Sequence, residues 1–232
     1  MDICHGIYNE VLSHLDEIVS LRSAKMLKSD NTFVSRGDIL CQEIIFNYLD
    51  RSLDDFVLIS EEADFTELPV EAPKRIITID PIDGTENFVS GLKEWGIGVS
   101  IYSNGIHEQS MIALPELGLS LFTGDAVEEI RGSRICGLSS YMSSGDFSGL
   151  DESYEYRIMG CCMYNMYNVI KGSYNRFVHL KGAYSWDILP GINLALEHGL
   201  NVTIDGTPYN GEFLKPGIKY RFVVTRDSML LQ

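Results

Sequence analysis

The sequence is poor in basic residues. Its 232 positions hold 18 lysines and arginines against 33 aspartates and glutamates, for a formal net charge of −15. Binding to a nucleic-acid backbone depends on clustered lysine and arginine, and docking on an anionic membrane surface needs the same positive charge. The composition therefore argues against both kinds of partner. The excess of carboxylates leaves two interpretations open, a solvated acidic coat or a cation site.

The C-x-x-C motif and long apolar runs are also missing. The five cysteines are odd in number and form no C-x-x-C pair, which disfavours a disulfide framework or a zinc site and favours a reducing compartment. No stretch approaches about 18 uninterrupted apolar residues, so no membrane span is expected. The first residues include acids instead of a basic segment before an apolar run, which argues against a signal peptide. Together these absences predict a cytoplasmic protein.

Apolar periodicity predicts helices and strands in the first part of the chain. Residues 3–27 place apolar side chains at a spacing typical of one helical face, and residues 38–53 repeat that pattern with Asp38 at the N-cap position. Two short apolar runs, 56–59 and 76–79, are expected to be buried strands separated by an acidic loop.

The later part of the chain is expected to combine a meander with an α/β half. Residues 96–122 alternate and contain turn signals, which indicates three antiparallel strands. Residues 139–149 are the most linker-like stretch and suggest two halves, 1–138 and 139–232. The elements expected in the second half are helices near 163–172 and 187–198 and short strands near 201–204 and 220–225. The first half is therefore predicted to be α+β and the second α/β.

The two predicted buried strands run into acidic residues. Glu61 follows the first strand, and Asp80-Pro81-Ile82-Asp83-Gly84-Thr85 follows the second. Ligand sites favour the carboxyl ends of strands in α/β sheets, so Glu61 and Asp80 should meet at one edge if the strands are neighbours. A tight turn around the proline can bring Asp80 and Asp83 to one point. Gly84 allows unusual backbone dihedrals and a close approach of N–H groups to an anion.

Carboxylates beside backbone donors suit a phosphate bound through magnesium. Mg²⁺ takes hard oxygen ligands and is typically held by carboxylates together with substrate phosphate. The alternative is that the two strands simply end in turns whose acidic side chains are solvated. This alternative explains Glu61 and Glu62 taken alone well, but it explains the six-residue string 80–85 less well. Asp187, at the start of a predicted helix, is explained equally well as an N-cap. Cys161 and Cys162 have no evident histidine partner and are interpreted as packing residues.

Three segments together resemble the inositol monophosphatase family of magnesium-dependent, lithium-sensitive phosphatases. They are 59–62, 80–88, and 186–191 followed by Glu197-His198-Gly199. Their order and separation match the family, and the resemblance covers nearly the whole chain. It implies a layered αβαβα sandwich of the inositol monophosphatase and fructose-1,6-bisphosphatase type. It also implies a homodimer that acts on a small phosphorylated metabolite.

The resemblance further implies a role for each site residue. The residues implied to bind two or three Mg²⁺ ions are Glu61, Asp80, Asp83 and Asp187, with the backbone carbonyl of Ile82. The residues implied to be catalytic are Glu61 and Thr85, which orient the attacking water, and Asp38, which supports the metal cluster. The residues implied to hold phosphate or line the substrate pocket are Gly84, Thr85, Gly160, Cys161 and Cys162.

Departures from the family pattern leave the substrate open. Ser60 replaces the usual glycine, Cys161 a common hydroxyl residue and Pro190 the usual alanine. None of them removes a metal ligand, but they touch the pocket. Asn87-Phe88 favours inositol monophosphate, while residues 90–96 loosely resemble histidinol phosphatases. A sugar bisphosphate and adenosine 3′,5′-bisphosphate are further alternatives. A non-catalytic regulatory or interaction module that keeps the fold is the alternative of another class, against which the complete set of site residues argues.

Overall fold

The computed structural model describes residues 2–28, 31–63, 75–140 and 142–226. The helices are α1 Ile3–Ser13, α2 Leu15–Ser20, α3 Arg36–Ser52, α4 Thr85–Val89, α5 Cys162–Lys171 and α6 Ser185–Glu197. The strands are β1 Lys25–Leu27, β2 Phe33–Ser35, β3 Val57–Ser60, β4 Arg75–Asp83, β5 Gly96–Ser103, β6 Ile106–Leu114, β7 Leu119–Phe122, β8 Ile135–Leu138, β9 Glu155–Ile158, β10 Arg176–Ala183, β11 Asn201–Ile204, β12 Thr207–Pro208 and β13 Tyr220–Thr225. The acidic loop expected before β4 falls mostly on residues 64–74, outside the described residues. None of the helices in the described stretches is long and apolar enough to cross a bilayer.

A five-stranded sheet contains the two strands that end in acids. Its order is β3-β4-β5-β6-β7, with β3 parallel to β4 and the remaining pairs antiparallel. Strands β5 to β7 are the predicted meander, which is confirmed. Because Ser60 lies opposite Ile79 in the parallel pair, the next residues, Glu61 and Asp80, are level with each other at one edge of the sheet.

A six-stranded sheet is built from the later part of the chain. Its order is β12-β11-β13-β10-β8-β9, with β8 parallel to both of its neighbours. The chain therefore changes sheet between β7 and β8, in the stretch from Phe122 to Ile135. The proposed halves, 1–138 and 139–232, stay a prediction about folding units.

Two apolar cores hold the layers together. One lies between α1–α3 and the first sheet, around Ile45 and Ile79, and the other lies around α5 and α6 between the sheets, at Met166 and Ile192. Burying one such side chain stabilises the fold by about 1.5–3 kcal/mol. The outer face of the second sheet packs against a segment whose helical part is a single 3₁₀ turn, Ser144–Phe147. The predicted αβαβα layering is confirmed, and within the described residues that turn is the helical part of its outermost layer.

The long helix predicted for residues 3–27 is wrong. The structure has two short helices, which end at Ser20, followed by strand β1. Near the break, the Ser13 hydroxyl donates to the Glu10 carbonyl at 2.7 Å, a local bond that competes with helical pairing. The apolar side chains of Met26 and Leu27 in β1 are 67% and 59% exposed, so they do not extend the buried helical face.

Helices α3 and α6 begin earlier than predicted, for one shared reason. Asp38 is not the N-cap of α3: Ser35 holds that place, and the Asp38 carboxylate accepts a hydrogen bond from the Ser35 N–H at 2.8 Å. In α6, Asp187 likewise accepts from the N–H of Tyr184 at 2.7 Å. An aspartate three residues inside a helix bonds back to the cap residue, so both aspartates mark the helix start from within the first turn.

His179 in β10 is a buried titratable side chain of the second sheet. Its ring stacks on Phe222 with centroids 5.4 Å apart, and its Nδ1 is buried with no hydrogen-bond partner among the described residues. Burial, assisted by the nearby charge of Lys219, lowers the pKa of His179 to about 4. In the unfolded chain a histidine titrates near pH 6.5, so the unfolded state binds this proton first as the pH falls.

We expect the contribution of His179 to the free energy of unfolding to decrease as the pH falls from about 6.5 towards 4. The His179 contribution is fully present above that window, and a shift of this size corresponds to at most roughly 3 kcal/mol. A His179→Phe variant, which keeps a ring against Phe222, should lack this loss, so lowering the pH should destabilise the wild-type protein relative to the variant. Urea unfolding of both proteins at pH 7.5 and pH 5 measures the difference. An equal change in the free energy of unfolding of the two proteins between these pH values would contradict the prediction.

Candidate active site

Three carboxylates meet at the shared edge of β3 and β4. Glu61, Asp80 and Asp187 each place an oxygen within 4.8 Å of the other two. Glu61 follows β3, Asp80 lies in β4 and Asp187 lies in the first turn of α6, so three separate elements supply the group. The structure thus brings together three of the residues that the sequence indicates as metal ligands. We refer to these three residues as the carboxylate cluster.

Asp80 is the least compensated member of the carboxylate cluster. It is 1% exposed, and neither of its carboxylate oxygens has a hydrogen-bond partner in the described part of the chain. Burial, and then the charges of Glu61, Asp83 and Asp187, raise the pKa of Asp80 well above its ordinary value. An ionised carboxylate buried without a partner costs several kcal/mol. A bound cation would remove that cost, and an all-oxygen donor set suits Mg²⁺.

A β-bulge in β4 sets the relative positions of Asp80 and Asp83. Asp80 lies opposite Gly98 and Asp83 opposite Gly96, so β4 has one more residue than β5 in this interval. Residues three apart in a regular strand point to opposite faces, and a bulge re-aims the side chain that follows it. The tight turn predicted at this point is therefore wrong, because β4 continues through Asp83.

The carboxylate of Asp83 faces helix α5. Its Oδ2 accepts hydrogen bonds from the Cys161 thiol at 3.0 Å and from the Met163 N–H. Burial raises the pKa of Asp83 to about 6, although these hydrogen bonds act in the opposite direction. Among the described residues, the group with mutual distances within 4.8 Å does not include Asp83. Asp83 instead fastens the beginning of α5 beside the carboxylate cluster.

Asp38, Thr85 and Ile82 form a second group of contacts. The Thr85 hydroxyl oxygen lies 3.0 Å from Asp38 Oδ1 and 3.1 Å from the Ile82 carbonyl oxygen. Its single proton can serve one of these acceptors at a time. Burial raises the pKa of Asp38, partly offset by hydrogen bonds from Ser35. Asp38 therefore contacts Thr85 directly, and its charge also contributes to raising the pKa of Asp80.

Gly84 begins the short helix α4 in a left-handed conformation, with φ of 82° and ψ of 41°. A Cβ atom at this position would lie 3.0 Å from the Cys161 Cβ and 3.2 Å from the Gly160 carbonyl oxygen. The segment of residues 160–162 therefore packs directly on the beginning of α4. Cys161 is buried and Cys162 half-buried, and Cys161 bonds Asp83 in addition to packing.

Two of the departures from the family pattern have structural explanations. Ser60 is fully buried, and its hydroxyl donates to the side-chain carbonyl of Gln42 in α3. Pro190 lies against β5 at Gly98, where an added Cβ would be 2.9 Å from the proline Cγ. Both residues support the strands beneath the carboxylate cluster.

Lys28 is a site residue that the sequence does not reveal. Its Nζ lies 3.1 Å from Glu61 Oε1 and 2.6 Å from Glu62 Oε1. Burial acts to lower the pKa of Lys28, but the two glutamates outweigh it and raise the pKa. Lys28 lies in a segment without buried periodicity, immediately after the exposed strand β1. No pattern singles it out before the fold places it beside Glu61.

Comparison with protein-family models provides independent evidence on the class of this protein. The model described as the inositol monophosphatase family matches residues 3–146, more than half of the chain. Together with the layered fold and the carboxylate cluster, the match defines a hydrolase that acts on phosphoric monoesters. The chain belongs to the inositol monophosphatase family.

Individual relatives show how far the likeness extends. The chain is 28% identical to a fructose-1,6-bisphosphatase/inositol-1-monophosphatase of Thermotoga maritima over 186 residues, which cover 73% of this chain and 70% of the relative. It is 34% identical to a histidinol-phosphatase of Chlorobaculum parvum over 91 residues, 39% of this chain and 34% of that protein. A solved IMPase/NADP phosphatase complexed with Mg²⁺ and phosphate has a TM-score of 0.75 at 19% identity, covering 97% of this chain and 92% of that chain. The structural likeness supports the fold.

Proposed function

We propose that the chain hydrolyses the phosphate monoester of a small polyol, as an inositol monophosphatase does, with the help of Mg²⁺. The observation that carries the proposal is the pair of buried Asp80 oxygens, which have no donor among the described residues and lie beside Glu61 and Asp187. The residues proposed to hold two or three ions are Glu61, Asp80, Asp83, Asp187 and the Ile82 carbonyl. Bound Mg²⁺ lowers the pKa of a coordinated water and offsets charge on the phosphoryl oxygens.

Glu61 and Thr85 are proposed to position the attacking water. The Thr85 hydroxyl can donate its proton to Asp38 Oδ1 at 3.0 Å and accept a hydrogen bond from the water at the same time. Asp38, buried and fixed by Ser35, holds that hydroxyl in one orientation. The water is thereby oriented by one hydrogen bond to Thr85 and one to Glu61, and the Glu61 carboxylate takes the single proton that the water loses as it attacks phosphorus, while the departing alkoxide oxygen takes a proton from solvent.

The attacking water and the leaving group are proposed to lie on opposite sides of the phosphorus atom. The N–H groups of Gly84 and Thr85, at the beginning of α4, would donate to phosphate oxygens. Gly160, Cys161 and Cys162 would line the alcohol that leaves. Burial raises the pKa of both thiols well above the ordinary value, which makes them poor nucleophiles. The proposal therefore includes no covalent enzyme intermediate.

A substrate panel tests the proposal. Phosphate release is measured from inositol 1-phosphate, histidinol phosphate, fructose 1,6-bisphosphate and adenosine 3′,5′-bisphosphate, with Mg²⁺, with EDTA, and with Mg²⁺ plus Li⁺. We expect Mg²⁺-dependent release that is fastest with inositol 1-phosphate and is inhibited by Li⁺. A higher kcat/KM with another compound would replace the proposed substrate with that alternative. No release from any of the four would contradict a catalytic function and favour an interaction module. The homodimer and the cytoplasmic location stay predictions.

A further inference from the structure

Asn87 in α4 joins the two sides of the proposed site. Its side chain is 9% exposed, and its Nδ2 donates to the Met159 carbonyl at 2.7 Å and to the Glu94 carbonyl at 2.6 Å. Both amide protons are therefore used, one for the segment after α4 and one for the residues that lead into α5. We call residues 159–162 the substrate turn.

The substrate turn packs closely against α4 at this point. Gly160 has φ of 72°, and a Cβ atom there would lie 3.2 Å from Asn87 Oδ1. At its other end the turn is held by Asp83, which accepts from the Cys161 thiol and the Met163 N–H. The turn thus has two side-chain anchors, Asp83 at the α5 end and Asn87 at the β9 end.

The two anchors differ in what else they touch. Asp83 also interacts electrostatically with the carboxylate cluster, since its charge contributes to raising the pKa of Asp80. Asn87 is uncharged, and its two Nδ2 bonds both go to backbone carbonyls. A change at Asn87 therefore moves the substrate turn without altering the charge at the carboxylate cluster.

We propose that Asn87 is a positioning residue for the leaving group. It sets the distance between the substrate turn and the phosphate held at Gly84 and Thr85, and through that distance it selects the alcohol. The inference rests on the proposed function, because it takes residues 160–162 as the lining of the pocket. Without the Asn87 amide, the Met159 and Glu94 carbonyls lose a donor and the turn shifts. A misplacement of about 1 Å at a reacting group can lower its rate roughly 100-fold.

Asn87→Leu tests the proposal, since leucine has a similar volume and no donor. We expect kcat/KM for the preferred polyol phosphate to fall at least about tenfold, while the inhibition constant of inorganic phosphate stays within roughly twofold of the wild-type value. Inorganic phosphate is the matched probe because it occupies the phosphate position without a leaving group. Asn168→Leu is the control variant: Asn168 is half-buried in α5 and makes one bond to the Tyr164 carbonyl at 2.8 Å.

A second variant keeps the test decisive if Asn87→Leu does not fold. Gly160→Ala changes the same contact from within the substrate turn, because its Cβ would lie 3.2 Å from Asn87 Oδ1. It should also lower kcat/KM without changing the inhibition constant of inorganic phosphate. Unchanged kcat/KM in both variants, or a phosphate inhibition constant that rises in parallel, would overturn the role of Asn87. A wild-type protein that hydrolyses none of the panel compounds would instead overturn the proposed function and, with it, this inference.

Discussion

Asp187→Asn is expected to lower the kcat of the Mg²⁺-dependent reaction by roughly 10³-fold or more, since several kcal/mol of charge stabilisation depends on the bound ions. The substitution removes one anionic member of the carboxylate cluster and keeps the shape of the side chain. The amide oxygen of asparagine can still accept the hydrogen bond from the Tyr184 N–H that the carboxylate accepts at 2.7 Å. The start of α6 should therefore survive, and the loss should fall on catalysis.

The same substitution is expected to raise the midpoint of thermal unfolding when EDTA is present. Burial and the charge of Glu61 raise the pKa of Asp187 well above its ordinary value. A raised carboxyl pKa means that the folded state holds the proton more strongly, so the contribution of Asp187 to stability is fully present below about pH 4 and is lost as the pH rises towards the raised value. Near pH 7 the uncharged asparagine avoids this loss. Mg²⁺ should stabilise the wild-type protein more than the variant.

Differential scanning fluorimetry and phosphate release measure both effects on the same samples. Asp50→Asn is the matched control, because Asp50 is an exposed aspartate at the end of α3 and receives the same chemical change. It should leave both the midpoint and the rate near wild type. Asp83→Asn is expected to abolish activity as Asp187→Asn does. Full activity in either site variant would contradict the assignment of the metal ligands.

Part of the site could be predicted from the sequence, because one short segment contains most of the residues that indicate it. Residues 80–85 combine acids, a proline, a glycine and a threonine in one string directly after an apolar run, so the edge of the sheet was predictable from local order alone. The approach of Glu61 to Asp80 needed one further assumption, that the two strands are neighbours, and the parallel pair β3 and β4 satisfies it. The αβαβα layering followed from the resemblance.

Other parts of the site depend on contacts between distant segments. Lys28 reaches Glu61 across the fold from the end of an exposed strand, and no periodicity distinguishes it from a surface lysine. The bulge between Asp80 and Asp83 depends on pairing with β5, which the string itself does not specify. Asn87 belongs to the recognised segment, but its partner Met159 lies 72 residues further along the chain. In each case the missing information was the tertiary partner.

Gly84→Ala is expected to reduce kcat/KM roughly 100-fold, because a small misplacement of the phosphate donors is costly. Two effects add at this position. Alanine in the left-handed conformation costs about 1–2 kcal/mol, and its Cβ would lie 3.0 Å from the Cys161 Cβ and 3.2 Å from the Gly160 carbonyl oxygen. The turn cannot retreat freely from the new methyl group, since Asp83 holds Cys161 through its thiol.

Gly105→Ala separates these two effects. Gly105 has φ of 79°, and a Cβ atom there would meet nothing within 4 Å, so the variant bears the backbone strain without the contact. Gly105→Ala should lose the stability due to the strain alone, measured by urea unfolding; Gly84→Ala should lose at least as much, and it alone should lose activity. If Gly105→Ala lost activity to the same extent, backbone strain transmitted through the sheet would explain the effect. A selective loss at Gly84 would mean that the phosphate segment and the substrate turn work only at the distance that a glycine permits.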